Sequence, residues 1–273
     1  MVVKEAYTEI IHALEKIVPD PHGEAAIIMS SLYGLTRLDL VLKADEILPD
    51  TQRWEPIVAR RLNNEPLAYI LGETYFFGRL FYSRAPVLIP RQDSEFLLDM
   101  ILQASTDKLR VLELGVGSGA LCVTLALERP SWSISGVDIN PDAIALSKEN
   151  ADRHGVQISL FEGDGFTKIE GTYDIIYSNP PYIPSEEVNK LDHSVSNYES
   201  HTALDGGEDG YYFYRQWIPE ARKHLFDGGI LAFETGYNQG DYILEIMKQN
   251  DFRDLHLIHD LAGWDRVVIG RKR

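Results

Sequence analysis

The spacing of apolar residues divides this chain into an N-terminal helical part and a longer part that alternates strands with helices. In residues 6–18, apolar side chains recur every three or four positions, which predicts an amphipathic helix that ends before Pro19. A second apolar segment, residues 25–33, ends at Gly34, a residue type that commonly follows a helix. We therefore predict that residues 1–68 form a small helical domain, whose expected function is substrate recognition.

The pattern changes after this domain. In residues 69–92, aromatic and aliphatic side chains surround Gly72 and Gly78, which predicts a β-hairpin linker. From Asp93, the expected cap of an amphipathic helix, short apolar runs alternate with amphipathic stretches. The predicted elements cover residues 110–114, 120–128, 133–138, 141–155, 158–162 and 173–178. This order predicts a parallel α/β domain over residues 93–273.

Composition places the chain among ordinary soluble globular proteins. No apolar run approaches the roughly 20 residues that span a bilayer, and the first residues lack the apolar core of a secretory signal. A single cysteine, Cys122, excludes an internal disulfide and a cysteine metal cluster. We expect a cytoplasmic protein with no membrane partner.

The net charge of −16 argues against a nucleic-acid binder, because such proteins neutralise phosphates with lysine and arginine. Neither the first 80 residues nor the remainder carries a net positive charge. Direct contact with nucleic acid is therefore not expected.

A glycine-rich loop after the first predicted strand of the α/β domain suggests a nucleotide-containing cofactor. Gly115, Gly117 and Gly119 allow a tight turn and a close approach of a ligand to the backbone. Asp138 ends the next strand about 20 residues later, where a carboxylate can accept hydrogen bonds from both ribose hydroxyls. The glycine pattern also fits a dinucleotide site, so the loop by itself leaves a nicotinamide-dependent oxidoreductase open.

Two acidic residues favour S-adenosylmethionine as the cofactor. Glu113 precedes the loop, where a cationic amino-acid group would fit better than a pyrophosphate. Asp164 follows the third strand and can accept a hydrogen bond from an adenine amino group. The candidate cofactor-binding residues are Glu113, Gly115, Val116, Gly117, Ser118, Gly119, Asp138, Asp164, Gly165 and Asn179.

The sequence Asn-Pro-Pro-Tyr at residues 179–182, called here the acceptor turn, is the candidate catalytic segment. Its prolines cannot donate hydrogen bonds, whereas the Asn179 side-chain oxygen and the Pro180 carbonyl can accept them, and Tyr182 adds an aromatic face. With Pro181, these residues suit a planar –NH2 group, either an amide or the exocyclic amine of a base. If the first and fourth strands are neighbours, Asn179 faces the glycine loop.

Taken together, these motifs resemble the class I methyltransferases, specifically the glutamine-N5 methyltransferases of peptide chain release factors (the HemK family). The resemblance covers nearly the whole chain and is carried by residues 66–72, 87–95, 113–120, 137–139, 178–183, 198–199, 203–210 and 262–266. It implies a Rossmann-like seven-stranded methyltransferase domain preceded by the helical domain and the hairpin. It also implies S-adenosylmethionine as methyl donor, S-adenosylhomocysteine as product, no metal, and the glutamine of a release-factor Gly-Gly-Gln motif as substrate.

Some positions depart from the family pattern. Gly165 stands where many relatives have a tryptophan, which removes a contact to adenine unless Phe166 replaces it. The roles of Arg91, Glu199 and Glu234 stay open. The alternative functions are a methyltransferase for adenine N6 or guanine N2, which the charge disfavours, and a non-catalytic cofactor-binding scaffold, which the intact acceptor turn disfavours.

Overall fold

The computed structural model describes residues 1–50, 53–104 and 107–273. The helices, in chain order, are α1 (Val3–Leu14), α2 (Pro21–Tyr33), α3 (Arg37–Leu42), α4 (Glu55–Leu62), α5 (Leu67–Leu71), α6 (Ser94–Leu102), α7 (Ala120–Glu128), α8 (Pro141–His154), α9 (Ser185–Val188), α10 (His193–Ser196), α11 (Tyr212–His224) and α12 (Gly240–Gln249). The strands are β1 (Glu73–Phe76), β2 (Arg79–Tyr82), β3 (Arg110–Leu114), β4 (Ser133–Asp138), β5 (Ser159–Glu162), β6 (Tyr173–Ser178), β7 (Leu225–Glu234), β8 (Phe252–His259) and β9 (Asp265–Lys272).

Contacts group the chain into two compact units, Met1–Gly72 with His193–Tyr198, and Glu73–Asp192 with Glu199–Arg273.

The first unit is helical and has its own apolar core. Ile10 and Leu14 of α1 are fully buried there together with Ile28 and Met29 of α2. The helix α2 begins with Pro21 behind the Asp20 side chain, which accepts a hydrogen bond from the Gly23 N–H. It ends at Gly34 as predicted, because that residue adopts the left-handed conformation.

The predicted hairpin is confirmed, but it is shorter than expected. Strands β1 and β2 pair in antiparallel register around Phe77 and Gly78. The prediction that the hairpin begins at Tyr69 was wrong, because Tyr69 lies in α5 and Gly72 ends that helix with a left-handed φ of 75°.

Seven strands form the sheet of the second unit, in the order β5-β4-β3-β6-β7-β9-β8. Each pair from β5 to β7 is parallel, and β9 runs antiparallel to β7 and β8. This topology confirms the predicted Rossmann-like methyltransferase fold. It also makes β3 and β6, the first and fourth strands of the domain, direct neighbours at the point where the strand order reverses.

Both faces of this sheet are covered. Val111 of β3 packs with α6 and α7 on one face, and the next residue, Leu112, packs with α11 and α12 on the other. This alternation follows from the period of two in a strand, and it explains why β3 carries apolar residues on both of its faces. Within the described ranges, the helices are all too short or too polar to cross a membrane.

The expected capping of α6 by Asp93 was wrong in its chemistry. Asp93 is the residue before α6, but its side chain makes no capping hydrogen bond. Its φ and ψ of −58° and −30° are already helical, whereas a capping side chain needs an extended backbone. The Asp93 carboxylate instead lies 3.2 Å from the Arg266 guanidinium.

Candidate active site

A cavity of about 880 Å³ lies at the carboxyl ends of β3, β4, β5 and β6. Its volume is within the range of small-molecule sites, and its position is where open α/β sheets bind ligands. The predicted site residues that line it are Gly115, Gly117, Asp138, Asp164, Gly165, Asn179 and Pro181. The sheet therefore brings together residues that are separated by up to 66 positions in the chain.

The glycine loop after β3 presents bare backbone to this cavity. The N–H groups of Gly115 and Val116 donate to the Val137 carbonyl, at 2.8 and 3.0 Å, which ties the loop to β4. Among the described residues, no atom lies within 4 Å of the position that a Cβ would take on Gly115 or Gly117. Since both residues have positive φ, glycine keeps this loop unstrained and leaves room for a ligand against the main chain.

Asp138 stands at the end of β4 and is held by backbone donors. One carboxylate oxygen accepts the Gly117 N–H and the other accepts the Asn140 N–H, each at 2.9 Å. Burial raises the pKa of this carboxyl, and the backbone hydrogen bonds partly oppose that change. The Ile139 N–H is a third backbone donor to this carboxylate. Because a carboxylate has about four acceptor positions, it can still accept from a ligand hydroxyl group.

An aromatic wall faces Gly165, and of its three residues only Phe166 was expected from the sequence. A Cβ on Gly165 would come within 2.8 Å of the Trp217 indole nitrogen, so glycine leaves space for that ring. Trp217 lines the cavity together with Phe213, one turn earlier on α11, and the two rings are 4.8 Å apart. Phe166 also lines the cavity and stacks on His224. Position 165 lacks the tryptophan of the family pattern, but the Trp217 ring from α11 lies beside this position.

The other candidate residues of the glycine loop are not among those that line the cavity. Glu113 is 2% exposed, and its carboxylate accepts a hydrogen bond from the Tyr177 hydroxyl at 2.9 Å. Burial raises the pKa of Glu113 to about 8, although hydrogen bonds from Cys122 and Tyr177 oppose the rise. Val116 and Ser118 are also buried, and Gly119 precedes α7. A contact of Glu113 with a cofactor stays a prediction.

The acceptor turn lies directly beside the glycine loop. Leu114 and Ser178, the last residues of β3 and β6, are paired in register. Gly115 and Asn179, the residues that directly follow these strands, therefore lie side by side. The conditional prediction that Asn179 would face the loop is therefore confirmed. The Ser178 hydroxyl donates to the Leu114 carbonyl at 2.6 Å and fixes the two strand ends together.

Two glycines of a later segment support the backbone of the acceptor turn. A Cβ on Gly206 would lie 2.7 Å from the Tyr182 Cα, and one on Gly210 would lie 2.4 Å from the Tyr182 carbonyl oxygen. The Gln239 amide donates to this same oxygen at 3.0 Å. Only glycine allows the 203–210 segment to pack this closely, which gives that motif a structural reason.

The orientation of the Asn179 side chain is fixed by Ser94, the first residue of α6. The amide nitrogen of Asn179 donates to the Ser94 hydroxyl oxygen at 3.0 Å. The amide oxygen of Asn179 is therefore directed away from Ser94 and is available as an acceptor. No local pattern in the sequence connects Ser94 with Asn179, because the two residues are 85 positions apart.

Arg91 and Glu199 form an ion pair within the second unit. One guanidinium nitrogen of Arg91 lies 2.8 and 2.6 Å from the two carboxylate oxygens of Glu199, whose side chain is 1% exposed. Burial raises the pKa of Glu199, and the nearby Arg91 opposes that rise. The adjacent Ser200 N–H donates to the Pro86 carbonyl, and residues 200–203 line the cavity. The ion pair therefore holds the start of one cavity wall.

A second, smaller cavity of about 500 Å³ lies on Tyr182 of the acceptor turn. Its other lining residues are Gly236, Tyr237, Trp264 and Arg266. The rings of Tyr237 and Trp264 meet edge to face at 5.4 Å and are both about half exposed. Since Asn179 and Pro181 line the larger cavity, the acceptor turn contributes to both.

Across residues 1–50, 53–104 and 107–273, no three histidine, cysteine, aspartate or glutamate side chains are grouped so that they could hold a metal ion. The features that fit S-adenosylmethionine are the open glycine backbone, the Asp138 carboxylate with a free acceptor position, and the aromatic wall.

Comparisons with known proteins agree with this geometry. Residues 91–249 match the family described as Methyltransferase small domain, and residues 5–72 match the PrmC N-terminal domain. A crystal structure of a methyltransferase from Pyrococcus furiosus is 21% identical, with a TM-score of 0.56 over 78% of this chain and 96% of its own. The fold and the site define a class I methyltransferase.

Relatives of nearly the same length define the family more closely. The release factor glutamine methyltransferase of Geobacter sulfurreducens is 40% identical over 94% of this chain and 92% of its own. The protein of the same name from Koribacter versatilis is 35% identical over 100% of this chain and 99% of its own. The chain belongs to the family of release factor glutamine methyltransferases.

Proposed function

We infer that this chain transfers a methyl group from S-adenosylmethionine to the side-chain amide nitrogen (N5) of the glutamine in the Gly-Gly-Gln motif of peptide chain release factors. The observation that carries this inference is the acceptor turn beside the glycine loop, with the Asn179 amide nitrogen bound to Ser94 and its oxygen available. Family membership supports the choice of acceptor.

The cofactor is proposed to bind in the larger cavity along the ends of β3, β4 and β5. Asp138 would accept a hydrogen bond from a ribose hydroxyl, and Asp164 would accept one from the adenine amino group. Trp217 offers an aromatic face for the adenine ring. When bound, S-adenosylmethionine supplies an electrophilic methyl group on its sulfonium.

The acceptor turn would solve the main chemical problem of this reaction. An amide nitrogen is a weak nucleophile, because its lone pair is delocalised into the carbonyl. The Asn179 side-chain oxygen and the Pro180 carbonyl would each accept one N–H, so that the developing lone pair points along the bond that breaks. Tyr182 would pack on the amide plane. Methyl transfer would form the N–CH3 bond and break the CH3–S bond, so the nitrogen would gain positive charge and then lose a proton to water.

The exocyclic amine of a nucleobase presents the same two hydrogens to the turn. The turn by itself therefore does not distinguish a glutamine amide from a nucleobase amine as the group to be methylated. The net charge of −16 argues against a nucleic acid. The match of residues 5–72 to the PrmC N-terminal domain supports a release factor as partner.

A labelling experiment tests this function. The purified protein is incubated with methyl-labelled S-adenosylmethionine and, separately, with a release factor, its Gly-Gly-Gln→Gly-Gly-Ala variant, RNA or DNA. We expect label only in the intact release factor, on the glutamine when its peptides are sequenced by mass spectrometry. Label in the RNA or DNA instead would contradict the proposed acceptor.

A further inference from the structure

Glu234 is a buried acid beside the acceptor turn that the proposed reaction does not yet use. Ser178, the last residue of β6, is paired in register with Phe233 of β7, so Asn179 directly follows β6 and Glu234 is the last residue of β7, the adjacent parallel strand. Both therefore lie at the same edge of the sheet. Glu234 is 2% exposed.

The Glu234 carboxylate is incompletely satisfied. Its Oε2 atom is buried and has no hydrogen-bond partner among the described residues. A buried carboxylate with an unused oxygen is costly, and such exceptions occur where function requires them. Burial raises the pKa of Glu234 to about 7, and a hydrogen bond from Ser94 opposes the rise.

Ser94 connects this acid to the acceptor turn. A serine hydroxyl has one hydrogen to donate, and its oxygen can accept others. When the hydroxyl donates to Glu234, its oxygen can only accept from Asn179, which requires the amide nitrogen of Asn179 to face Ser94, as observed at 3.0 Å. Without the carboxylate, the hydroxyl is free to donate to the Asn179 oxygen, and the amide can turn its NH2 toward the substrate.

We propose that Glu234 is a positioning residue for methyl transfer. By accepting the hydrogen of the Ser94 hydroxyl, it leaves the Ser94 oxygen to accept from the Asn179 amide nitrogen, so the Asn179 oxygen is held toward the substrate nitrogen. This inference rests on the proposed function. The negative charge also polarises the hydrogen bonds from Asn179 through Ser94, which strengthens the Asn179 oxygen as an acceptor while positive charge develops on the substrate nitrogen.

Other charged groups near Glu234 have their own partners. Arg266 lies 3.2 Å from Asp93 and 2.9 Å from Asp260, and Arg91 is paired with Glu199. The titratable and charged groups that face Glu234 from neighbouring elements are Asp93, Arg91, Arg266, Tyr182 and Tyr214. Apart from Glu113 behind the glycine loop, whose pKa is raised to about 8, we therefore expect Glu234 to be the group near this turn that titrates close to neutral pH.

The test compares Glu234→Gln, Ser94→Ala and Ser94→Thr with the wild type. Glu234→Gln keeps the side-chain shape without the charge, and we expect kcat to fall about 10- to 100-fold while KM and cofactor Kd change less than about twofold. Wild-type kcat should fall as the pH is lowered through about 7, and Glu234→Gln should lack this limb. Ser94→Ala should lower kcat similarly, whereas Ser94→Thr, which keeps the hydroxyl, should retain activity.

The double variant separates action through Ser94 from a general structural effect. If Glu234 acts through Ser94, adding Glu234→Gln to Ser94→Ala causes no further loss of kcat. The matched control is Glu170→Gln, which removes an exposed acid and should leave every constant unchanged. The proposal is overturned if Glu234→Gln has the kcat of the wild type. It is also overturned if Glu234→Gln lowers kcat by the same factor in the wild type and in Ser94→Ala.

This series also distinguishes the inference from the proposed function. If the wild type labels RNA or DNA rather than the release factor, the proposed function fails. The same variants are then measured on that acceptor, because an exocyclic amine presents the same two hydrogens to Asn179. A loss that is confined to kcat would still support the positioning role, and unchanged kcat would still refute it.

Discussion

The buried Glu113 carboxyl predicts how the stability of this chain depends on pH. Its pKa is raised from 4.5 to about 8 by burial. Between these two values the folded chain keeps a proton that the unfolded chain releases. The stability that Glu113 contributes is thus fully present below pH 4.5 and is lost as the pH rises toward 8. Linkage gives a loss of about 2.5 kcal/mol between pH 5.5 and 7.5.

Glu113→Gln removes this titration but keeps an oxygen that can accept the Tyr177 hydroxyl. The unfolding free energy of the variant, relative to the wild type, should therefore increase by about 2.5 kcal/mol over the same pH interval. Urea unfolding at pH 5.5, 6.5 and 7.5, followed by tryptophan fluorescence, measures this difference. Titration of Glu234 changes the unfolding free energies of the wild type and of Glu113→Gln equally, so it does not contribute to their difference.

The control for this experiment is again Glu170→Gln, because Glu170 is exposed. Its unfolding free energy should differ from that of the wild type by the same small amount at each pH. If Glu113→Gln behaves like this control, Glu113 titrates near its ordinary pKa, and the reasoning from its burial is refuted.

Four further substitutions test the site. Asn179→Ala should lower kcat about 100- to 1000-fold with a much smaller change in cofactor Kd by calorimetry, and near-normal turnover would argue against its acceptor role. Asp138→Ala should raise cofactor Kd about 10- to 100-fold and affect kcat at saturating cofactor less; an unchanged Kd would contradict ribose binding. Trp217→Ala should raise cofactor Kd about 3- to 10-fold, and equal affinity would mean that the adenine binds elsewhere. Gly165→Ala, with a φ of 50° and the Trp217 ring in the way, should cost about 1–2 kcal/mol of stability, and an unchanged Tm would disprove that close packing.

The parts of the site that sequence predicted depend on local signals. The glycines of residues 115–119 mark a strand-to-helix turn, and Asp138 follows at the expected distance at the end of the next strand. Asn179 stands directly after an apolar strand. Because the carboxyl ends of parallel strands share one edge, these separate segments could be assigned to one place before the sheet was known.

The parts that sequence did not predict depend on contacts between remote segments. Trp217 lies on α11, where its aromatic neighbours gave no reason to prefer the cavity over the core. The Arg91–Glu199 ion pair joins residues 108 positions apart. Ser94 contacts Asn179 from α6, and Glu234 stands at the end of the neighbouring strand β7. No local spacing connects these side chains, since only the packed sheet brings them together.

The support of the acceptor turn by Gly206 and Gly210 has a consequence for engineering. The backbone of the turn packs directly on the backbone of these glycines, and any side chain at either position would displace it. A library that seeks new acceptor amides should therefore keep both glycines constant. Its diversity belongs at Tyr237 and Trp264, whose half-exposed rings line the smaller cavity beside Tyr182. Reaction chemistry and substrate range would then be separately adjustable properties of one scaffold.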